Sequence, residues 1–137
     1  MSEREFVIGS AHGGARLTFA GEVPSVVVVD DGYDVHVRLS GGGVQASDRV
    51  WDHQPQSWTE FFRDLARDWR GWDGERTIQS LEGQLRLTCT ADKLGHISVR
   101  VRLRGDMGGS DWRAEDTLHL EAGQLEDLAR RAKEYFG

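Results

Sequence analysis

The sequence predicts an α+β domain, built from one mainly antiparallel sheet of about six or seven strands with two helices packed on one face. Several segments alternate apolar and polar residues, which is typical of half-buried strands. Two segments instead repeat apolar residues every three or four positions, which is typical of amphipathic helices. The order strands, helix, strands, helix lacks the regular alternation that builds a parallel sheet.

The clearest pair of strands covers residues 80–91 and 96–104, joined by a short turn. Odd-numbered residues are apolar in both strands, so two facing residues must have numbers whose sum is even. This excludes a two-residue loop and favours a three-residue loop with Gly95 in the left-handed conformation. The resulting register places Arg86 opposite Arg102 on the outer side. The predicted inward pairs are Cys89 with Val99, Leu87 with Val101 and Leu85 with Leu103.

The remaining predicted strands are residues 5–8, 16–20, 26–29, 33–40 and 112–120, and a short segment at 44–47 follows a run of three glycines. The first two form a hairpin across a glycine-rich turn. An Asp-Asp-Gly turn joins the continuous apolar segment 26–29 to segment 33–40, which predicts a second hairpin.

Two helices follow from the periodicity of the apolar residues. Ser57 and Glu60 have the spacing of a capping box, which predicts that the first helix begins there. Gly71 ends that helix in the left-handed conformation. A second helix covers residues 123–136, with acidic residues in its first turn and basic residues later, as the helix dipole favours.

Length and composition narrow the class of protein. The 137 residues form a single domain, 1–137, that is long enough for its own core. The net charge of −6 argues against binding to nucleic acid, which usually needs a basic domain. Cys89 is the lone cysteine, so no disulfide forms within a monomer. No apolar run suits a membrane span or signal peptide, which predicts a cytoplasmic protein.

Part of the chain resembles a family of short uncharacterised bacterial proteins, of an actinobacterial type, known only as a domain of unknown function. The strings that carry the resemblance are Phe61-Phe62-Arg63-Asp64-Leu65-Ala66, Trp69-Arg70-Gly71-Trp72-Asp73-Gly74, Ser80-Leu81-Glu82-Gly83 and Leu120-Glu121-Ala122-Gly123-Gln124-Leu125. The chain departs from the family pattern at Ile78, where a tryptophan is expected. The resemblance implies a bacterial, cytoplasmic protein of one domain with no assigned catalytic residue or cofactor. In size and layout the chain is also similar to immunity proteins of bacterial toxin systems.

The outer face of the predicted sheet carries a basic patch. The residues proposed for this interaction patch are Arg38, Arg86, Arg100, Arg102 and Arg113, with Arg104 beside them. Only Asp34, Glu82 and Glu115 oppose them on that face. On a chain with net negative charge, such segregation suits an acidic protein surface as partner. The alternative is a solvated face whose arginines and glutamates pair across strands.

A second candidate site is a pocket between the first helix and the sheet. Asp52 and His53 fall in the predicted loop before that helix, and Trp72 and Trp112 fall at a helix end and a strand start. Such residues suit a small-molecule binder or an enzyme, although both tryptophans also suit core packing. No spacing predicts a catalytic set, a metal site or a cofactor. The leading hypothesis is therefore a non-enzymatic interaction protein, with an immunity-like role as one form of it, and the pocket is the alternative.

Overall fold

The chain folds into two antiparallel sheets rather than one. The computed structural model describes residues 4–28, 31–105 and 111–137. The first sheet contains, in spatial order, β1 (Glu5–Gly9), β2 (Arg16–Ala20), β3 (Tyr33–Ser40) and β4 (Gln45–Asp52). The second contains β5 (Arg76–Gln79), β6 (Leu85–Ala91), β7 (His96–Gly105) and β8 (Trp112–Glu121). Helix α1 (Pro55–Arg67) joins the sheets, and α2 (Leu125–Phe136) follows a 3₁₀ turn at Ala122–Gln124.

The prediction of a single sheet of six or seven strands is wrong, although the α+β, antiparallel character is right. Alternation shows which side of a strand is buried but not which strands share a sheet. Here α1 separates the two sets of four strands, and the apolar faces of both sheets enter one core. The helices add aromatic rings to that core. Phe19 lies 5.5 Å from Trp58 of α1 and 5.5 Å from Phe136 of α2, measured between ring centroids.

The predicted register of the central hairpin is confirmed. Cys89 pairs with Val99 and Arg86 pairs with Arg102. Gly95 has φ +85°, the left-handed conformation that the three-residue loop requires. Leu85, Leu87, Cys89, Val101 and Leu103 are buried completely. The second sheet therefore has one face in the core and one face carrying its polar side chains.

The strand predicted at 26–29 is wrong, because residues 26–28 form no strand. Val26 and Val28 are 80% and 60% exposed and lie outside the strands, while Val29 and Asp30 fall outside the described residues. Strand β3 pairs with β2 and β4 instead. A run of valines has the local preference for a strand but no alternation that would fix a buried face.

The second error lies at the start of the central hairpin. Residues 80–84 form a turn, with Gly83 at φ +72°, that joins β5 to β6. Leu81, predicted to point inward, is 47% exposed. The alternation of residues 80–91 thus spans a turn and a strand, because a turn can also carry apolar residues two positions apart.

Helix α1 begins two residues before the predicted capping box. Pro55 occupies the first turn and Gln54 precedes it without a side-chain cap, while Ser57 donates a hydrogen bond to Oε1 of Gln54 at 3.3 Å. Proline suits this position because its fixed φ is helical and its missing N–H would have no partner there. The predicted stop at Gly71 is wrong in position, because the helix ends at Arg67 with Asp68 as its C-cap; Gly71 follows the next turn, with the predicted positive φ of +118°.

We expect a thiol reagent to label Cys89 slowly in the native protein and completely after denaturation. The side chain is buried, and burial raises the pKa of its thiol to about 12, so little reactive thiolate forms up to pH 9. Cys89→Asp should destabilise the fold by more than about 3 kcal/mol, and Cys89→Ala by about 1 kcal/mol, in urea unfolding. Fast native labelling that accelerates from pH 7 to 9 would show that this strand is flipped.

Candidate functional site

Five arginines share the outer face of the second sheet, which we call the arginine face: Arg86, Arg100, Arg102, Arg104 and Arg113. The strand register creates this arrangement. Even-numbered residues of β6 and β7 point away from the core, and so do odd-numbered residues of β8. Arg86 therefore lies opposite Arg102, and Arg104 lies opposite Arg113. Like charges directly opposite each other on one face destabilise a sheet.

The facing pair Arg86 and Arg102 is at the centre of the arginine face. The backbone N–H of Arg104 donates to the carbonyl of Gln84 at 2.8 Å, so Arg86 and Arg102 form the next hydrogen-bonded pair of this ladder. Their Cα atoms are thus about 5.5 Å apart. The Nε atoms of both side chains are buried and have no hydrogen-bond acceptor in the described structure. Burial, with the positive charges of Arg86, Arg113 and Arg104, lowers the pKa of Arg102.

A shallow depression of about 150 Å³ lies at this pair, lined by Arg86, Thr88, Arg100, Arg102 and Glu115. Glu115 is paired with Arg102 across β7 and β8, but its carboxylate is not within ion-pair distance of any arginine in the described ranges. Arg100 approaches Glu75, with 3.7 Å between Nη2 and Oε2. The depression therefore contains more guanidinium groups than carboxylates. Sequence reasoning identified its arginines but not Thr88, which is buried beside them.

Arg38, also predicted for the patch, lies in a different place. It is on β3 of the first sheet, opposite Thr18 and Ser47, and its Nη2 is 3.6 Å from Oε1 of Glu5. The sequence alone could not separate Arg38 from the other arginines, because all of them occupy outward positions of alternating strands. Only the assignment of strands to two sheets shows that Arg38 belongs to another surface.

The four residues predicted to form one pocket lie in different places. Asp52 and His53 line a depression of about 260 Å³ together with Trp58 and Ser80, whereas neither Trp72 nor Trp112 lines it. Trp72 donates its indole N–H to the carbonyl of Cys89 at 3.3 Å. The ring of Trp112 lies over Gly105, where an added Cβ would clash with its Nε1. Both tryptophans are half-buried and pack against the core.

Asp52 is the last residue of β4 rather than part of the loop that the sequence predicts, and it is buried. Its carboxylate accepts a hydrogen bond from Nε1 of Trp58 at 2.9 Å and one from the backbone N–H of His53 at 2.9 Å. His53 Nδ1 lies 3.6 Å from Oδ1 of Asp52 and has no hydrogen-bond partner in the described structure. The hydrogen bonds that Trp58 and His53 donate to Asp52 hold the start of α1 against the end of β4.

Candidate metal ligands do not converge in the described ranges. His36 lies in the first sheet, whereas His96 and His119 lie in the second. Asp34 pairs with Arg49 at 2.8 Å, and Asp30 falls outside the described residues. No group of three His, Cys, Asp or Glu side chains that suits a metal ion is found between residues 4–28, 31–105 and 111–137.

The fold and this surface together define a class, a small α+β protein of two four-stranded antiparallel sheets with a basic outer face. The chain belongs to the family of unknown function DUF6228, whose model matches residues 8–137, which confirms the resemblance to a domain of unknown function. No curated protein matches it. Among solved structures, that of the plant transcriptional regulator PBF-2 is similar at a TM-score of 0.55 and 8% identity, covering 99% of this chain and 81% of that chain. This likeness concerns the fold alone.

Within the described residues, the helices are too short or too polar to cross a membrane.

We expect Trp58→Phe to destabilise the fold by about 1.5–3 kcal/mol, the usual contribution of a hydrogen bond to a charged group, because it leaves the buried Asp52 carboxylate without its indole donor. Urea unfolding measures the loss. Trp51→Phe is the matched control, since that indole donates to the backbone carbonyl of Asp31 in an exposed position. Equal losses for the two variants would contradict a structural role for the hydrogen bond between Trp58 and Asp52.

Proposed function

We propose that this protein is a non-enzymatic interaction module of the bacterial cytoplasm that docks its arginine face onto an acidic surface of another protein. One observation carries the proposal: Arg86 and Arg102 face each other across strands, and neither forms an ion pair with a carboxylate of the described residues. In a sheet that serves only as a solvated surface, opposite charges across strands would stabilise the fold. An acidic partner supplies the countercharge that the described residues do not place within ion-pair distance of Arg86 and Arg102.

The charge distribution supports a protein partner over a nucleic acid. The chain has a net charge of −6, so a polyanion is repelled at long range by most of its surface. The arginine face also includes Glu115, and Glu75 lies at its margin near Arg100. A protein surface with a few well-placed acidic side chains fits between these glutamates, whereas a continuous phosphate backbone does not. An immunity-like role, in which the chain covers an acidic patch of a toxin, is one form of this proposal.

A second candidate function is binding of a small molecule, or catalysis, in the depression beside Asp52 and His53. The observation that favours it is the unpartnered Nδ1 of His53 at the wall of that depression. Asp52, however, is already occupied by Trp58 and the backbone of His53. This candidate predicts a ligand whose thermal stabilisation of the protein disappears in His53→Ala and persists in variants of the arginine face.

Site-directed photo-crosslinking in cells tests the docking proposal. A photoreactive residue at Ser98, on the outer face of β7, should crosslink to one protein with an acidic contact region. The same residue at Ser47, on the outer face of the first sheet, should not. Charge reversal of the arginine face should abolish the crosslink, because it replaces attraction by repulsion.

The charge-reversed variant is Arg86→Glu, Arg100→Glu and Arg102→Glu combined. Its matched control is Arg16→Glu, Arg38→Glu and Arg49→Glu combined, which changes the net charge equally on the exposed face of the first sheet. We expect the control to keep the crosslink from Ser98. If the folded arginine-face variant keeps it as well, the proposal is wrong, and a crosslink to nucleic acid instead of protein would overturn it equally.

A further inference from the structure

We infer that the depression between Arg86 and Arg102 is a binding site for a single carboxylate, supplied by an aspartate or glutamate side chain of the partner protein. This inference rests on the proposed docking function and specifies its central contact. The site combines two facing guanidinium groups, a concave surface between them and a deficit of hydrogen-bond acceptors.

The Arg86 and Arg102 side chains contain hydrogen-bond donors without acceptors. A guanidinium carries five N–H donors, and a buried donor without a partner is unfavourable by about 1–3 kcal/mol. The Nε groups of Arg86 and Arg102 are both buried without an acceptor in the described part of the chain. Neither side chain forms an ion pair within 4.0 Å among the described residues. A carboxylate offers two oxygens with about four acceptor positions, so one group can serve both arginines.

The shape of the site also suits a carboxylate. The depression of about 150 Å³ is far larger than the roughly 10–15 Å³ that a single water requires, so it has room for a carboxylate. Thr88 is buried and lines the same depression. Arg86 and Arg102 are both only half exposed, so an anion bound between them is shielded from water on the sheet side.

The charges around the depression determine the charge that a ligand needs. Arg86, Arg100 and Arg102 line the depression with three positive charges. They are opposed by Glu115, which faces Arg102 in the ladder, and by Glu75, which approaches Arg100. The remaining single positive charge matches one carboxylate, whereas a phosphate dianion would leave excess negative charge beside Glu115. The lowered pKa of Arg102 agrees with this, since burial and the neighbouring arginines disfavour its charge as long as no anion is bound.

The experiment uses the full chain and a probe peptide of four glutamates flanked by glycines. In ¹⁵N NMR spectra, the Nε–H signals of Arg86 and Arg102 should shift saturably as the peptide is added, while that of Arg49 on the first sheet should not. Inorganic phosphate is the second probe. Weaker binding of phosphate than of the peptide is expected, and tighter binding at the same two signals would overturn the assignment to a carboxylate.

Lysine variants separate a specific contact from a general charge effect. Arg102→Lys keeps the charge but loses the planar fork of donors, so the affinity for the peptide should fall at least fivefold. Arg113→Lys, on the rim of the same face, is the matched control and should change it less than twofold. Unchanged thermal melting of both variants shows that they are folded. Equal losses for the two variants, or no saturable shift in the native protein, would overturn the inference.

The failure of this inference is distinguishable from failure of the docking proposal. If Arg102→Lys keeps the crosslink from Ser98 while charge reversal removes it, the docking face stands and the carboxylate site is wrong. If charge reversal keeps the crosslink, the docking proposal is wrong whatever the peptide titration shows.

Discussion

The register between β6 and β7 is the constraint on which the rest of the second sheet depends. Burying Leu87, Cys89 and Val101 on one side determines that Arg86 and Arg102 face each other on the other side. Full burial of an aliphatic side chain contributes about 1.5–3 kcal/mol, whereas an unfavourable cross-strand pair is expected to cost about 0.2–1 kcal/mol. The core therefore decides the register, and the repulsion between the arginines is tolerated.

Other arginines of the chain show what the pair at the centre of the arginine face lacks. Arg131 of α2 donates to the carbonyl of Val7 at 2.7 Å and so closes the open edge of β1. Arg76 reaches Oδ2 of Asp68 at 2.7 Å and lies over the ring of Trp72. These arginines have internal acceptors that explain their positions in structural terms. Arg86 and Arg102 have no such acceptors in the described structure, which is why a partner's carboxylate is the better explanation for them.

The two-sheet architecture depends on side chains that close strand edges. Gln84 donates from Nε2 to the carbonyl of Arg49 at 3.0 Å and accepts from the backbone N–H of Trp51 at 3.4 Å. It thus occupies the edge of β4 where a further strand would otherwise pair. Gln124 similarly reaches the carbonyl of Gly9 at the edge of β1. Such a termination leaves no trace in apolar alternation, because a single polar residue in a turn makes the contact.

This explains which parts of the molecule the sequence could predict. Pairing between neighbouring strands is local, so parity alone was sufficient for the register of the central hairpin and for the facing of Arg86 and Arg102. The division into two sheets is not local, so it was missed, and Arg38 was placed on the wrong surface for the same reason.

The sequence also did not predict that Trp72 and Trp112 lie apart, because this distance is not local either. They lie near opposite ends of the second sheet, at Cys89 and Gly105, and sequence spacing does not reveal that distance.

The central claim is that Arg86 and Arg102 repel each other in the free protein. A double-mutant cycle with Arg86→Gln, Arg102→Gln and the double variant measures this directly, by urea unfolding at low ionic strength. The account predicts a repulsive coupling of about 0.2–1 kcal/mol that nearly disappears at 1 M salt, where the screening length is about 3 Å. A coupling of zero or an attractive coupling at low ionic strength would contradict it, because the pair would then need no external carboxylate.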